Sequence, residues 1–280
     1  MVPDTTQQQA PTSLSKSQMK KMLKRQKWLE GRGERRKVER EKRKLKRREA
    51  AKIREQSGDV SAIKPKKKLM SESGNRFKVV IDMDFEEYMT EHEITKAVLQ
   101  VGRIYSINRH ASNPCQLYIS SLKNKILEKM TSTNVGYRNW DINYSERSYL
   151  ELFEDEVQSQ DCIEGQSKIV YLSGDSECSL PDVDEILRDK SKIYVIGGLV
   201  DHNRHKNLCQ TRAQEGNIAT AKLPIKEYVK LSQRHILSTV TVFEILLKVL
   251  SDGMDWVEAF KTCIPKRKLA QSDHLGQEGS

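Results

Sequence analysis

Nowhere in this chain do eighteen apolar residues follow one another, and the opening MVPDTTQQQAPTSLSK has no apolar signal region and carries Asp4. Secretion, membrane insertion and a mitochondrial leader are therefore not expected. Cysteine is sparse. Cys115, Cys162, Cys178, Cys209 and Cys263 are odd in number, scattered and without a C-x-x-C pair, which reads as reduced thiols in the nucleus and/or cytoplasm. Aromatic residues are only 6% and hydrophobic ones 36%, against 31% charged, at a mean hydropathy of -0.70. Part of the 280 residues is too polar to join a core.

Acidic charge is scarce in one place only. The formal net charge is +10, and residues 1–75 hold 23 Lys+Arg against 9 Asp+Glu, while residues 76–280 hold 26 against 30. The basicity belongs to an N-terminal arm, and a clustered excess implies a polyanionic partner. From Lys16 to Arg54 the arm is rich in Lys, Arg, Glu and Leu, interrupted by Gly31 and Gly33, so it is expected to be largely helical. Its apolar residues are too few for a core-facing stripe. Glu34, Glu39, Glu41 and Glu49 have the spacing to pair with neighbouring cations, as in a solvated helix. The 19 basic against 5 acidic residues of this run leave a surplus that favours phosphate binding. Lys20, Lys21, Lys24, Arg25, Lys42, Arg43, Lys44, Lys46, Arg47 and Arg48 are the candidate RNA contacts; the last six also suit a nuclear-import signal.

After Asn75 the texture changes to short β-branched runs separated by helical stretches, the pattern of an α/β fold with a mainly parallel sheet. Phe77–Met83, Cys115–Ser120, Lys168–Ser173 and Lys192–Gly198 are near-continuous apolar runs, as strands buried on both faces require. Helices are expected over Glu86–Ile107, Leu122–Thr131, Asp182–Leu187, Lys206–Glu215, Val240–Leu250 and Asp255–Ile264. The organisation expected is an arm over 1–75, a domain over 76–268 and a tail over 269–280.

Ligands of parallel sheets sit beyond the carboxyl ends of the strands, which directs attention to the loops after Ser173 and Gly198. Neither fits G-x-G-x-x-G or the P-loop pattern. Gly197-Gly198 permits close approach of a ligand or of other backbone, or marks a tight turn. Asp201 has the residue type of an N-cap for the following helix. His202, His205 and Cys209 have the spacing of a partial metal set, but nothing elsewhere completes four ligands, and no metal is expected.

Four segments carry a more specific signal: YVIGGLVDHNRHKNLC (Tyr194–Cys209), AKLPIKEY (Ala221–Tyr228), VFEILLKVL (Val242–Leu250) and DWVEAFKTCIPKRK (Asp255–Lys268). In this order and spacing the chain resembles the tRNA methyltransferase 10 family of the SPOUT superfamily. The Lys-rich Gln18–Trp28 is similar to that family's N-terminal segment. The resemblance implies a SPOUT-type parallel sheet flanked by helices with a C-terminal trefoil knot. It also implies bound S-adenosylmethionine, a tRNA partner and a monomer. Carried over by motif, the cofactor site takes Leu172, Gly197, Asp201, His202, Asn203, Arg204, His205, Cys209, Leu223, His235, Ile236 and Leu237. Asp201 is the implied general base, because guanine N1 must lose its proton to become nucleophilic. Gln116 either orients the target base or makes a strand-end hydrogen bond. Family members often carry Asn-Gln where this chain has Val240-Thr241. The implied activity is formation of 1-methylguanosine at position 9 of tRNA; the alternative is a non-catalytic tRNA-binding scaffold on the same fold.

Overall fold

A computed structural model describes residues 15–57, 67–155, 168–230 and 236–265. The chain divides into two compact units, Met1–Lys64 and Pro65–Ser280.

In the first unit, α1 (Lys16–Glu30) and α2 (Arg32–Ser57) are separated by Gly31 alone. Gly33, expected to interrupt, lies inside α2: a helical glycine costs about 1 kcal/mol, which the Arg, Lys and Glu formers around it outweigh. Met19, Met22, Leu23, Trp28, Val38 and Leu45 are between 48% and 59% exposed, so among the described residues neither helix buries a stripe. The Arg32 and Arg35 guanidinium groups lie 5.3 and 5.8 Å from the Trp28 ring centroid. Propensity and local contacts, not a core, make these helices.

The second unit runs β1 (Lys78–Asp82), α3 (Glu91–His110), β2 (Gln116–Ser120), α4 (Asn124–Thr133), β3 (Asn143–Tyr144), α5 (Tyr149–Leu152), β4 (Ile169–Leu172) and α6 (Val183–Arg188). It continues through β5 (Ile193–Gly197), α7 (Leu208–Glu215), β6 (Ala219–Ala221), α8 (Ile225–Tyr228), α9 (Thr239–Asp252) and α10 (Trp256–Cys263). Among the described residues six strands form one parallel sheet in the order β3-β2-β1-β5-β4-β6. Successive residues Val79, Val80 and Ile81 are all fully buried, so both faces of β1 are covered. Each such side chain contributes roughly 1.5–3 kcal/mol through burial.

The four strands expected from apolar runs are present, trimmed by a residue or two at their ends. β3 and β6, two and three residues long at the two sheet edges, carry too little pattern to be foreseen. The expected helix over Glu86–Ile107 is split. Glu86–Tyr88 is a single 3-10 turn, and α3 starts after Thr90, whose hydroxyl accepts from Glu93 N while the Glu93 carboxylate accepts from Thr90 N. Residues 67–75, read from sequence as the end of the arm, pack into the second unit. Met70 and Asn75 are buried, Met70 N donates to Asp141 Oδ2 at 2.8 Å, and Asn75 Nδ2 donates to the Leu250 carbonyl at 3.2 Å.

The register aligns the carboxyl ends of the central strands: Asp82 stands opposite Ser120 on one side and Gly197 on the other. Strand order reverses between β1 and β5, and the chain segments that follow them meet there.

Candidate cofactor and active site

The two glycines that end β5 are needed by the protein's own packing. A Cβ on Gly198 would stand 2.5 Å from Met83 Sδ and 2.8 Å from the Asp82 carbonyl; one on Gly197 would stand 2.9 Å from Cys209 Sγ. Gly198 N donates to the Asp82 carbonyl at 2.7 Å, extending the parallel ladder between β1 and β5 one residue past Gly197. Of the alternatives open in the sequence, close approach by other parts of this chain is the one realised.

Beyond Gly198 the loop folds around Asp201, which is 8% exposed. Its Oδ1 accepts from Asn203 N and its Oδ2 from His205 N, each at 2.8 Å. His202 and Asn203 take left-handed φ values of 54° and 63° to make this turn. The N-cap reading of Asp201 is therefore corrected: α7 begins at Leu208 after Asn207, and Asp201 staples its own loop instead. Asn207 N donates in turn to Asp175 Oδ2 at 2.9 Å, joining the loop to the segment after β4.

Between this loop, the segment after β4, the stretch around α8 and the start of α9 lies a cavity of about 380 Å³. Leu172, Gly197, Asp201, Asn203, His205, Cys209, Leu223, Ile236 and Leu237 line it, nine of the twelve residues expected at a cofactor site. Ser173, Asp175 and Leu199, from the two loops singled out beyond the strand ends, line it as well, and so do Thr239 and Val242 of α9, which were not foreseen, being ordinary helix residues in one dimension. Thr239 Oγ1 donates to the Gly197 carbonyl at 3.2 Å, which brings the start of α9 to the end of β5. Apolar walls with a few carboxylates and carbonyls suit a flat heterocycle bearing a cationic tail.

Of the other three expectations, two fall elsewhere. Arg204 turns away from the cavity and places its guanidinium on Glu93, with both nitrogens 2.9 Å from the carboxylate oxygens. His202 is exposed and does not line the cavity, and His235 lies outside the described residues. Gln116 stands at the opposite end of the sheet, four residues before Ser120 on β2, or roughly 13 Å along the strand. Its amide donates to the Met70 and Asn75 carbonyls at 2.9 and 3.0 Å, so the strand-end hydrogen-bonding role is the one present. On the arm, Lys20, Lys21, Lys24, Arg25, Lys42, Arg43, Lys44, Lys46 and Arg48 are exposed on α1 and α2; the side chain of Arg47 lies outside the described set. Arg43 lies 3.5 Å from Glu39.

Comparison with known proteins fixes the family. The family described as tRNA (guanine(9)-N(1))-methyltransferase TRM10/TRM10A matches residues 12–269. The chain belongs to the TRM10 family. A Schizosaccharomyces pombe relative, tRNA (guanine(9)-N1)-methyltransferase, is 38% identical over 264 residues, covering 93% of this chain and 82% of the relative. Rat tRNA methyltransferase 10 homolog A is 39% identical over 207 residues, covering 74% of this chain and 57% of that protein. Among solved structures, the full-length spTrm10–SAH complex aligns with a TM-score of 0.59 at 38% identity, covering 70% of this chain and 96% of that one.

This TRM10 chain also holds a buried polar cluster at the carboxyl end of β1 that no motif announced. Asp82, 2% exposed, accepts from Tyr171 Oη at 3.0 Å, Ser121 Oγ at 3.3 Å and Asp84 N at 3.2 Å. Burial pushes its carboxyl above the ordinary range despite these donors. Next to it, burial pushes Asp84 up, but hydrogen bonding and charge from Arg212, with Lys123, outweigh this and hold it below its ordinary value. Arg212 donates to both the carboxylate and the carbonyl of Asp84 and lies 4.9 Å from the Phe85 ring centroid. Burial, then the Asp82 carboxylate, push the Cys209 thiol up to about 12, so at neutral pH it is neither nucleophile nor ready metal ligand. His205 meets the Tyr88 ring edge-on at 5.3 Å. Among the described residues no group of three or more His, Cys, Asp or Glu side chains is placed to hold a metal.

Proposed function

We propose that this chain is an S-adenosylmethionine-dependent tRNA methyltransferase that forms 1-methylguanosine at position 9. The observation that carries the reading is the 380 Å³ cavity at the carboxyl ends of β4 and β5, with the buried Asp201 carboxylate in its wall. The residues present suit the cofactor. Leu172, Leu199, Leu223, Leu237 and Val242 offer apolar surface for adenine, backbone groups of the Gly197 and Leu223 turns offer hydrogen bonds, and Asp175, Asp201 and Glu227 bring negative charge toward a cation. S-adenosylmethionine supplies an electrophilic methyl group on a sulfonium sulfur.

The protein's task is to prepare N1 of guanine. That nitrogen carries a proton at neutral pH, and its lone pair is freed as the proton leaves. Each Asp201 oxygen accepts one backbone N–H and retains a lone pair for a further donor, so the carboxylate has capacity for the N1 proton. Asn203 N and His205 N fix its position without any side-chain rotor between them.

The surplus cations on α1 and α2 support a tRNA-gripping role for the arm. A trefoil knot over the C-terminal segment is part of the same reading, supported by the return of α9 to the end of β5 after the chain has passed through β6. So are a monomeric state and residence in the nucleus and/or cytoplasm, where the substrate is processed and read. Target nucleotides of this kind leave the tRNA core before reaction.

The experiment is transfer of labelled methyl from S-adenosylmethionine to unmodified transcripts bearing G9 or A9, with the product position mapped by nuclease digestion. Methylation at G9 supports the enzyme. Tight tRNA binding by folded protein without methyl transfer would replace it with the scaffold.

A further inference from the structure

The loop that carries Asp201 is fastened to the body at a point that does not line the cavity. Arg204 Nη1 donates to Glu93 Oε1 at 2.9 Å, Nη2 to Glu93 Oε2 at 2.9 Å, and Nη2 also to the Tyr88 carbonyl at 3.2 Å. The Glu93 side chain is 7% exposed. Its Oε2 also accepts from Thr90 N and Thr90 Oγ1, both at 2.9 Å, so one carboxylate closes the cap of α3 and anchors the loop together. A bidentate fork of this kind fixes direction as well as distance. The Arg204 hydrogen bond and the Thr90 backbone hold the Glu93 carboxyl down at about 2, so the pair is charged at neutral pH.

The loop has reason to need an anchor. His202, Asn203 and Asn207 all adopt left-handed φ values, of 54°, 63° and 59°, a conformation that side chains disfavour and that persists where surroundings impose it. Within the loop Asp201 holds residues 203 and 205, but nothing in that local staple ties it to the sheet or to α3. Arg204 supplies that tie on one side, and Asn207 on Asp175 supplies it on the other.

We infer that Arg204 and Glu93 are a positioning pair: their clamp holds the Asp201 loop, and with it the cavity wall, in the shape that receives the cofactor, although neither residue touches it. This rests on the cavity being the cofactor site.

The test uses the full chain, S-adenosylhomocysteine as the calorimetric probe, and single-turnover methyl transfer to a G9 transcript. Arg204→Ala should weaken probe binding about tenfold and slow methyl transfer at saturating cofactor by about as much, as expected for loss of a charge-assisted pair. The KM for tRNA should not move. Arg204→Lys, which keeps the charge and loses the fork, should recover part of the loss. Glu93→Gln keeps a capping side chain at α3 and removes the charge; it should match Arg204→Ala, and the double variant should be no worse than either single one. Folded Arg204→Ala with wild-type probe affinity and rate would overturn the inference, as would a lowered melting temperature with binding and rate intact. Additive losses would overturn it too. If Arg204→Ala does not fold, Arg204→Lys and Glu93→Gln carry the same comparison. Wild-type protein that binds the probe but methylates no tRNA refutes the proposed activity while leaving the binding measurements to decide the clamp; wild-type protein that binds no probe overturns both.

Discussion

Replacing Asp201 by Asn separates two roles that its geometry combines. The carboxylate accepts two backbone N–H groups at 2.8 Å, from Asn203 and His205. An amide retains one acceptor and turns an NH2 toward the other donor, so one charge-assisted hydrogen bond is lost and one N–H is left unpaired. At about 1.5–3 kcal/mol for a hydrogen bond to a charged group, S-adenosylhomocysteine affinity should fall by roughly ten- to a hundredfold where binding requires the folded loop. Loss of the proton acceptor is a different effect. General-base catalysis is worth about 10² to 10⁴ in rate, so single-turnover methyl transfer should fall by that factor even with cofactor and tRNA saturating. The pH profile adds a signature: without the carboxylate, the rate should climb with hydroxide concentration as N1 loses its proton to solvent. Quench-flow transfer of labelled methyl from pH 6 to 9, beside calorimetry, reads both effects. A saturated rate for Asp201→Asn within threefold of wild type, with the same pH profile, would refute the base role and leave Asp201 as a staple.

Deleting residues 1–64 should weaken tRNA binding and flatten its salt dependence, since each phosphate contact contributes about 0.7–0.9 to the log–log slope; fluorescence anisotropy between 50 and 200 mM salt checks this, with probe affinity unchanged. Gly198→Ala would set a methyl 2.5 Å from Met83 Sδ and 2.8 Å from the Asp82 carbonyl, so a loss of about 1–3 kcal/mol or more is expected in urea unfolding. The Glu93 carboxyl lies at about 2 in the fold against an ordinary 4.5. A depressed carboxyl stabilises the fold above its ordinary value and loses that contribution as pH falls toward 2, so the melting temperature should drop across this window, and less steeply in Glu93→Gln. Alkylation at pH 8 should label exposed Cys178 quickly, half-buried Cys209 slowly because its thiol is pushed up to about 12, and buried Cys115 only as the protein unfolds; peptide mass spectrometry reads the order.

Continuous apolar runs made the four central strands legible, because a strand covered on both faces has no polar side to interrupt it. The short edge strands β3 and β6 have neighbours on one side only, and their two and three residues carry no such pattern. Thr90 and Glu93 spell a capping box that the longer helical periodicity around them masked. Most of the cavity lining was legible only through the family resemblance, whose motifs around Gly197, Asp201 and Leu223 carried its residues over. Arg204 was misplaced for the reason that Glu93 was unseen: 111 residues separate them, and only the fold sets one against the other. Gln116 kept two readings because a strand has two ends and the sequence does not say which one faces a ligand; the parallel pairing of β2 with β1, and of β1 with β5, decides for the strand-end hydrogen bond.

Composition alone determined the basic helical arm, since Lys, Arg and Glu form solvated helices without a core. The order of the apolar residues determined the four central strands. Tertiary structure decided the buried Asp82–Tyr171 contact across 89 residues, the Arg204–Glu93 clamp and the direction of every candidate side chain. These depend on which distant segments share a register, a long-range property that no window of sequence contains.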